Sequence, residues 1–125
     1  ENFRRYFSES KKILEVNREH IELDKREGDI LKSDAVVYSL LLRLRGFFII
    51  KHILQKRKYS NKGFRKWVIM KTGIDKQEYE KIYEIYRAVR DKKRARARSE
   101  ILAAEKLLEL LEKEIEKYDK KKKEA

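Results

Sequence analysis

Residues 33–54 read SDAVVYSLLLRLRGFFIIKHIL, and this stretch decides the fold. Its apolar residues run almost all the way round a helix. A helix without a polar face is a buried one, wrapped by others. The exceptions are Arg43, Arg45, Lys51 and His52, and charge inside an apolar helix is costly unless it is paired. What wraps this helix is the question of fold. What its charged groups do is the question of function.

On either side the apolar residues recur every three or four positions and not every two, and there is no proline, so the chain reads as helices throughout. A first helix spans about Asn2 to Glu27, with Phe3, Phe7, Leu14, Asn17 and Ile21 on one stripe and Gly28 as its stop. The central helix takes Ser33 or Asp34 as N-cap and ends near Lys58. Residues 59–63, YSNKG, form a turn into a short third helix, about Lys62 to Thr72, closed by Gly73. Phe64, Trp67 and Val68 fall on one side of it and Lys62, Arg65 and Lys66 on the other.

The fourth helix begins at Asp75, which with Glu78 has the form of a capping box. Tyr79, Tyr83 and Tyr86 make a stripe, Arg90 projects close to the same line, and Arg87 and Arg94 sit beside it. Residues 91–98, DKKRARAR, read as an exposed basic connector. A fifth helix runs from Ser99 to about Tyr118, with Ile101, Ala104, Leu108, Leu111, Ile115 and Tyr118 at the alternating three-and-four spacing of a coiled-coil seam. The expected fold is all-α: a compact up-and-down bundle of four long helices plus one short helix. It forms a single domain over residues 1–119, its central helix the most buried member, with 120–125 a disordered basic tail.

Charged residues make up 45% of the 125-residue chain, against roughly 25% in a typical soluble protein. Lys and Arg exceed Asp and Glu by 34 to 22, a net charge of +12. Such a surplus attracts polyanions. Heavy use of Lys, Glu, Ile and Leu also fits a thermophilic protein with many surface ion pairs, but ion-pair networks balance their signs and leave the surplus unexplained. With no cysteine there is no disulfide framework, thiol nucleophile or cysteine zinc site. The longest uncharged apolar run, Ala35 to Leu42, is far shorter than the ~20 residues that span a bilayer. A cytoplasmic protein with no membrane partner is the expectation.

The two histidines, His20 and His52, sit in no metal-binding pattern, and no phosphate-cradling glycine loop or nucleophile elbow occurs. No cofactor and no metal is expected. Arg45 and His52 are two helical turns apart on one face, with Tyr38 and Lys56 continuing it. One reading makes this a polar groove in which Arg45 holds a phosphate and His52 acts as general acid or base. The other makes it an edge where Arg45 pairs with Asp34, Glu22 or Asp29. We expect the edge to be covered by the helix carrying Arg90 and by a buried acid. Arg90 itself is expected to pair structurally, and Trp67, beside Phe64 and Val68, to belong to the core.

The segments SLLLRLRGFFIIKHIL (39–54), KYSNKGFRKW (58–67), YEIYRAVRD (83–91) and AEKLLELLEKEI (104–115) resemble the helical C-terminal region of archaeal nucleotidyltransferase-like proteins. The resemblance covers about Ser39 to Tyr118. It implies a bundle that packs beside a catalytic domain or subunit and takes part in a dimer. The Gly-Ser turn and paired aspartates of the family's catalytic half have no counterpart here. Such bundles also resemble the HEPN superfamily, whose nucleases carry an Arg, four to six residues and a His. Arg45 and His52 satisfy that count, though on the second helix and not near the end of the bundle.

The leading expectation is a non-catalytic accessory or binding module, a homodimer as the resemblance implies, contacting RNA, DNA or a nucleotide-bearing partner. The contacts fall to Lys62, Arg65, Lys66, Arg87, Arg90, Arg94, Arg96 and Arg98. The alternatives are a HEPN-like metal-independent ribonuclease using Arg45 and His52, and a purely structural bundle serving a separate catalytic subunit.

Overall fold

A computed structural model describes the backbone of residues 2–124 and the side chains of residues 3–119. Its helices are α1 (Asn2–Lys25), α2 (Asp34–Leu54), α3 (Asn61–Thr72), α4 (Lys76–Arg90) and α5 (Ile101–Glu124). They form an all-α, up-and-down bundle. The heptad-like seam of α5 meets a matching stripe on α1, where Phe7, Ser10, Leu14, Asn17, Ile21 and Asp24 are all buried. The two helices run antiparallel. Phe7 stacks on Tyr118 at one end, Arg18 pairs with Glu112 in the middle and Lys25 with Glu105 at the other end.

α2 packs on α1, α4 and α5, burying Val36, Val37, Leu40, Leu41, Leu44 and Phe48. The wrapping is incomplete. Ile53 and Leu54 in the last turn are exposed, and α5 buries at least as many side chains as α2 does. Against α1, α2 presents Gly46, where an added Cβ would overlap the Tyr6 hydroxyl. That gap lets the Tyr6 ring lie on the α2 backbone and donate a hydrogen bond to the Arg43 carbonyl at 3.0 Å. The Arg43 guanidinium covers the same ring at 4.4 Å and reaches Ser10 and Glu9. Arg43 therefore clamps α1 to α2, a role its position in an apolar run does not reveal. Asn17 completes this interface with a bond to Ser39 at 2.9 Å.

The helix ends follow local chemistry. Ser60 caps α3 by accepting from the Gly63 amide, and Gly73 closes it in the left-handed region. α2 stops at Leu54, short of the expected Lys58, because Lys56 adopts φ 54°. The Arg57 amide then bonds the His52 carbonyl and the Lys56 amide the Ile53 carbonyl, the Schellman pattern. α4 ends the same way around Lys92, at φ 58°. Asp75 caps α4 as expected. Glu78 does not complete a box on its own helix. Its carboxylate accepts from the Ser99 hydroxyl and the Glu100 amide, both at 3.3 Å, at the start of α5.

The two long links meet in one antiparallel bridge between Ile30 and Glu100. Asp24 fixes the first link by accepting from the Lys32 and Ser33 amides at 2.9 Å. α5 begins at Ile101, two residues beyond the expected Ser99, and its backbone is helical through Glu124. The side chains of the tail expected at 120–125 lie outside the described residues. Among the described residues, no helix is long and apolar enough to cross a membrane.

Candidate nucleic-acid interface

α4 turns its tyrosine stripe toward α2, and the rings form a ladder. Tyr79 and Tyr83 lie 6.1 Å apart with 13° between planes, Tyr83 and Tyr86 5.9 Å and 21°, and Tyr86 and Tyr38 of α2 5.2 Å and 20°. These are offset stacks. Tyr79 and Tyr86 are buried, while Tyr83 and Tyr38 are half-buried. Together with Leu41 and Phe64, the α4 tyrosines floor a cleft of about 290 Å³, near the lower end of small-ligand pockets.

Three elements supply its rim: Arg45 from α2, Asn61, Lys62 and Arg65 from the first turns of α3, and Glu80 from α4. Among the described residues, Arg45 pairs with no carboxylate. It donates to the Asn61 side-chain oxygen at 3.3 Å. None of the acids expected to pair with it does so: Asp34 is held by Arg98 at 3.1 Å, and Glu22 and Asp29 are exposed. α4 does overlie the edge, as expected, but with tyrosines that leave an opening. Arg65 pairs with Glu80 at 3.3 Å across the rim. Burial pushes the Tyr79 hydroxyl well above the usual tyrosine range, Tyr83 and Glu80 add to this, and the charges of Arg65 and Arg45 oppose it.

His52 is not part of this cleft. Its Nδ1 lies 2.9 Å from the Phe48 carbonyl, and since a carbonyl only accepts, Nδ1 carries the proton. The ring packs on Phe48 at 4.1 Å. Arg45 and His52 thus share a helix edge but not a pocket. Trp67 belongs to the core: it packs on Phe48 and Phe64, and its buried indole N–H has no partner.

The other basic residues divide into groups. Arg87 lies over the Tyr83 ring at 5.2 Å and Arg90 over Tyr86 at 6.0 Å. Arg90 also pairs with Asp91 at 3.0 Å, so its structural pairing is with an exposed neighbour and not a buried acid. Arg87, Lys93, Arg94 and Arg96 line a second depression of about 220 Å³, with Asp91 and Glu84 among them. Lys66 is exposed. Arg98 is held by Asp34 at the start of α2.

Sequence reasoning missed Asn61 and Glu80. Asn61 reads as a turn residue and Glu80 as one more charge on a solvated helix face. Tyr38 falls on the Arg45 face by spacing, but nothing in the spacing shows that it extends a ladder on another helix. Among the described residues, no group of three or more His, Asp or Glu side chains is arranged to hold a metal ion. No protein-family model, curated protein or solved structure matches the chain.

Proposed function

We propose that this bundle is a non-catalytic binding module that contacts nucleic acid through the face of α3, α4 and the connector that follows α4. The observation that carries this reading is the convergence of Arg45, Lys62 and Arg65 on a cleft floored by tyrosines, with Arg87 and Arg90 stacked against two of those tyrosines. Cations hold phosphates and accessible aromatic rings stack bases, so the pairing fits a nucleic acid better than a simple anion. The net charge of +12 supports the same partner class. The resemblance of residues 39–118 to the helical region of nucleotidyltransferase-like proteins supports an accessory role beside a catalytic domain or subunit.

The ribonuclease reading draws no support from the geometry, because His52 is bonded to its own helix and lies outside the cleft lined by Arg45. The test of the proposal is titration of labelled single-stranded RNA and DNA at rising salt. Affinity is expected to fall steeply with salt, as counterion release requires. Absence of binding at about 50 mM salt, where phosphate contacts are strong, contradicts the proposal.

A further inference from the structure

We infer that the tyrosine cleft is a pocket for one unpaired nucleobase together with its phosphate, and that Glu80 occupies the phosphate-binding arginine until that ligand arrives. This rests on the proposed nucleic-acid contact and names what the cleft itself takes.

The cleft is built for two chemistries at once. Its floor is aromatic and apolar, while its rim carries Arg45, Lys62 and Arg65 against the single carboxylate of Glu80. A volume of about 290 Å³ suits one nucleotide rather than a duplex groove. The half-buried Tyr83 ring is in offset contact with Tyr79 and Tyr86 and carries Arg87 over it at 5.2 Å, so a base entering the cleft meets an ordered aromatic ladder at the part of that ring left open and displaces or stacks beside the guanidinium. Tyr79 is 3% exposed, and among the described residues its hydroxyl makes no hydrogen bond. The residue is nearly buried while its hydroxyl keeps contact with solvent, and on the cleft wall it is suited to bond the polar edge of a base. The first turn of α3 also reaches the rim through Asn61 and Lys62, adding the positive end of its dipole to the anion side.

Glu80 is the feature that a simple basic patch does not explain. It pairs with Arg65 at 3.3 Å across the mouth of the cleft. A phosphate bound by Arg65 displaces that carboxylate, and both Arg65 and Glu80 are exposed enough to re-pair without disturbing the core. The pair therefore lowers affinity in the ligand-free state and screens out weak anions.

The experiment is fluorescence anisotropy with a short labelled single strand, competed by an abasic strand of equal length, by duplex and by a mononucleotide, on the parent protein, Glu80→Gln and Tyr83→Leu. Thermal unfolding of each variant confirms folding. Freeing Arg65 in Glu80→Gln is expected to tighten binding of the base-bearing strand several-fold. That gain would not follow from a merely structural role. Tyr83→Leu is expected to weaken the base-bearing strand about tenfold, the equivalent of a modest stacking energy, and to leave the abasic strand little changed. The mononucleotide arm separates the two sources of the ligand: competition by mononucleotide at its own concentration range assigns a free nucleotide, and competition only by strand assigns a nucleic-acid end or loop. Either supports the base-and-phosphate pocket. Equal binding of abasic, duplex and base-bearing strands, or an unchanged or weaker Glu80→Gln, overturns this inference while leaving the basic-surface proposal standing. No binding of any of these probes overturns both.

Discussion

The guanidinium of Arg87 lies 5.2 Å from the centre of the Tyr83 ring. Tyr83 lines the tyrosine-floored cleft and Arg87 the neighbouring basic depression, so this contact joins the two along one face of α4. Arg87→Ala is expected to reduce affinity for single-stranded nucleic acid without changing the unfolding midpoint, because the side chain is exposed. A loss of about three- to tenfold is the scale of one phosphate contact combined with an exposed cation–π interaction. Direct binding and thermal melts of parent and variant check both halves.

Gly46 is where helix propensity and packing oppose each other. Alanine is the better helix former by about 1 kcal/mol, yet its methyl would overlap the Tyr6 hydroxyl. Overpacking of this kind costs about 1–3 kcal/mol. Gly46→Ala is therefore expected to lower stability. Combining it with Tyr6→Leu is expected to cost less than the sum of the two single changes. A denaturant double-mutant cycle measures that coupling.

Lys56 and Lys92 each occupy the left-handed position of a Schellman turn, at φ 54° and 58°. Glycine adopts that conformation without the Cβ penalty. Lys56→Gly and Lys92→Gly are each expected to raise stability by about 0.5–1 kcal/mol, and additively because they end different helices. Urea titrations of the single and double variants test this.

The same two lysines show where the sequence was hard to read. α3 was legible because Gly73 and Asp75 mark its end and the start of α4 with residue types suited to those backbone positions. The end of α2 was not, because a lysine does the work of a glycine and the basic run 56–58 reads as continuing helix. The tyrosine stripe of α4 follows from helical spacing alone. The cleft needed Asn61, Lys62 and Arg65 to arrive from a third helix, and their positions depend on how the turn between α2 and α3 folds back. Glu78 illustrates the same limit. Its spacing from Asp75 matches a local box, while its carboxylate serves the start of α5, 22 residues on.

Asp24 makes stability depend on pH. Burial alone would raise its pKa, but hydrogen bonds from Ser33 and from the Lys32 amide, with the Lys32 charge, outweigh burial and hold the carboxyl below its usual value. A depressed carboxylate contributes stability above the unfolded-state pKa, near 3.9, and loses it as pH falls through the folded-state value. Asp24→Asn is expected to be less stable than the parent at neutral pH, with the gap closing at low pH. Unfolding curves at neutral pH and on either side of about pH 4 measure that gap.

The most direct test of the nucleic-acid interface is the salt dependence of single-stranded RNA binding by the parent protein and by the double variant Arg45→Gln, Arg65→Gln. Each phosphate contact on a single strand contributes about 0.7 to the slope of log affinity against log salt. Losing two contacts is expected to flatten the slope by about 1.4 and to weaken binding at low salt. An unchanged slope, with the variant folded, would contradict a cleft in which Arg45 and Arg65 hold phosphates.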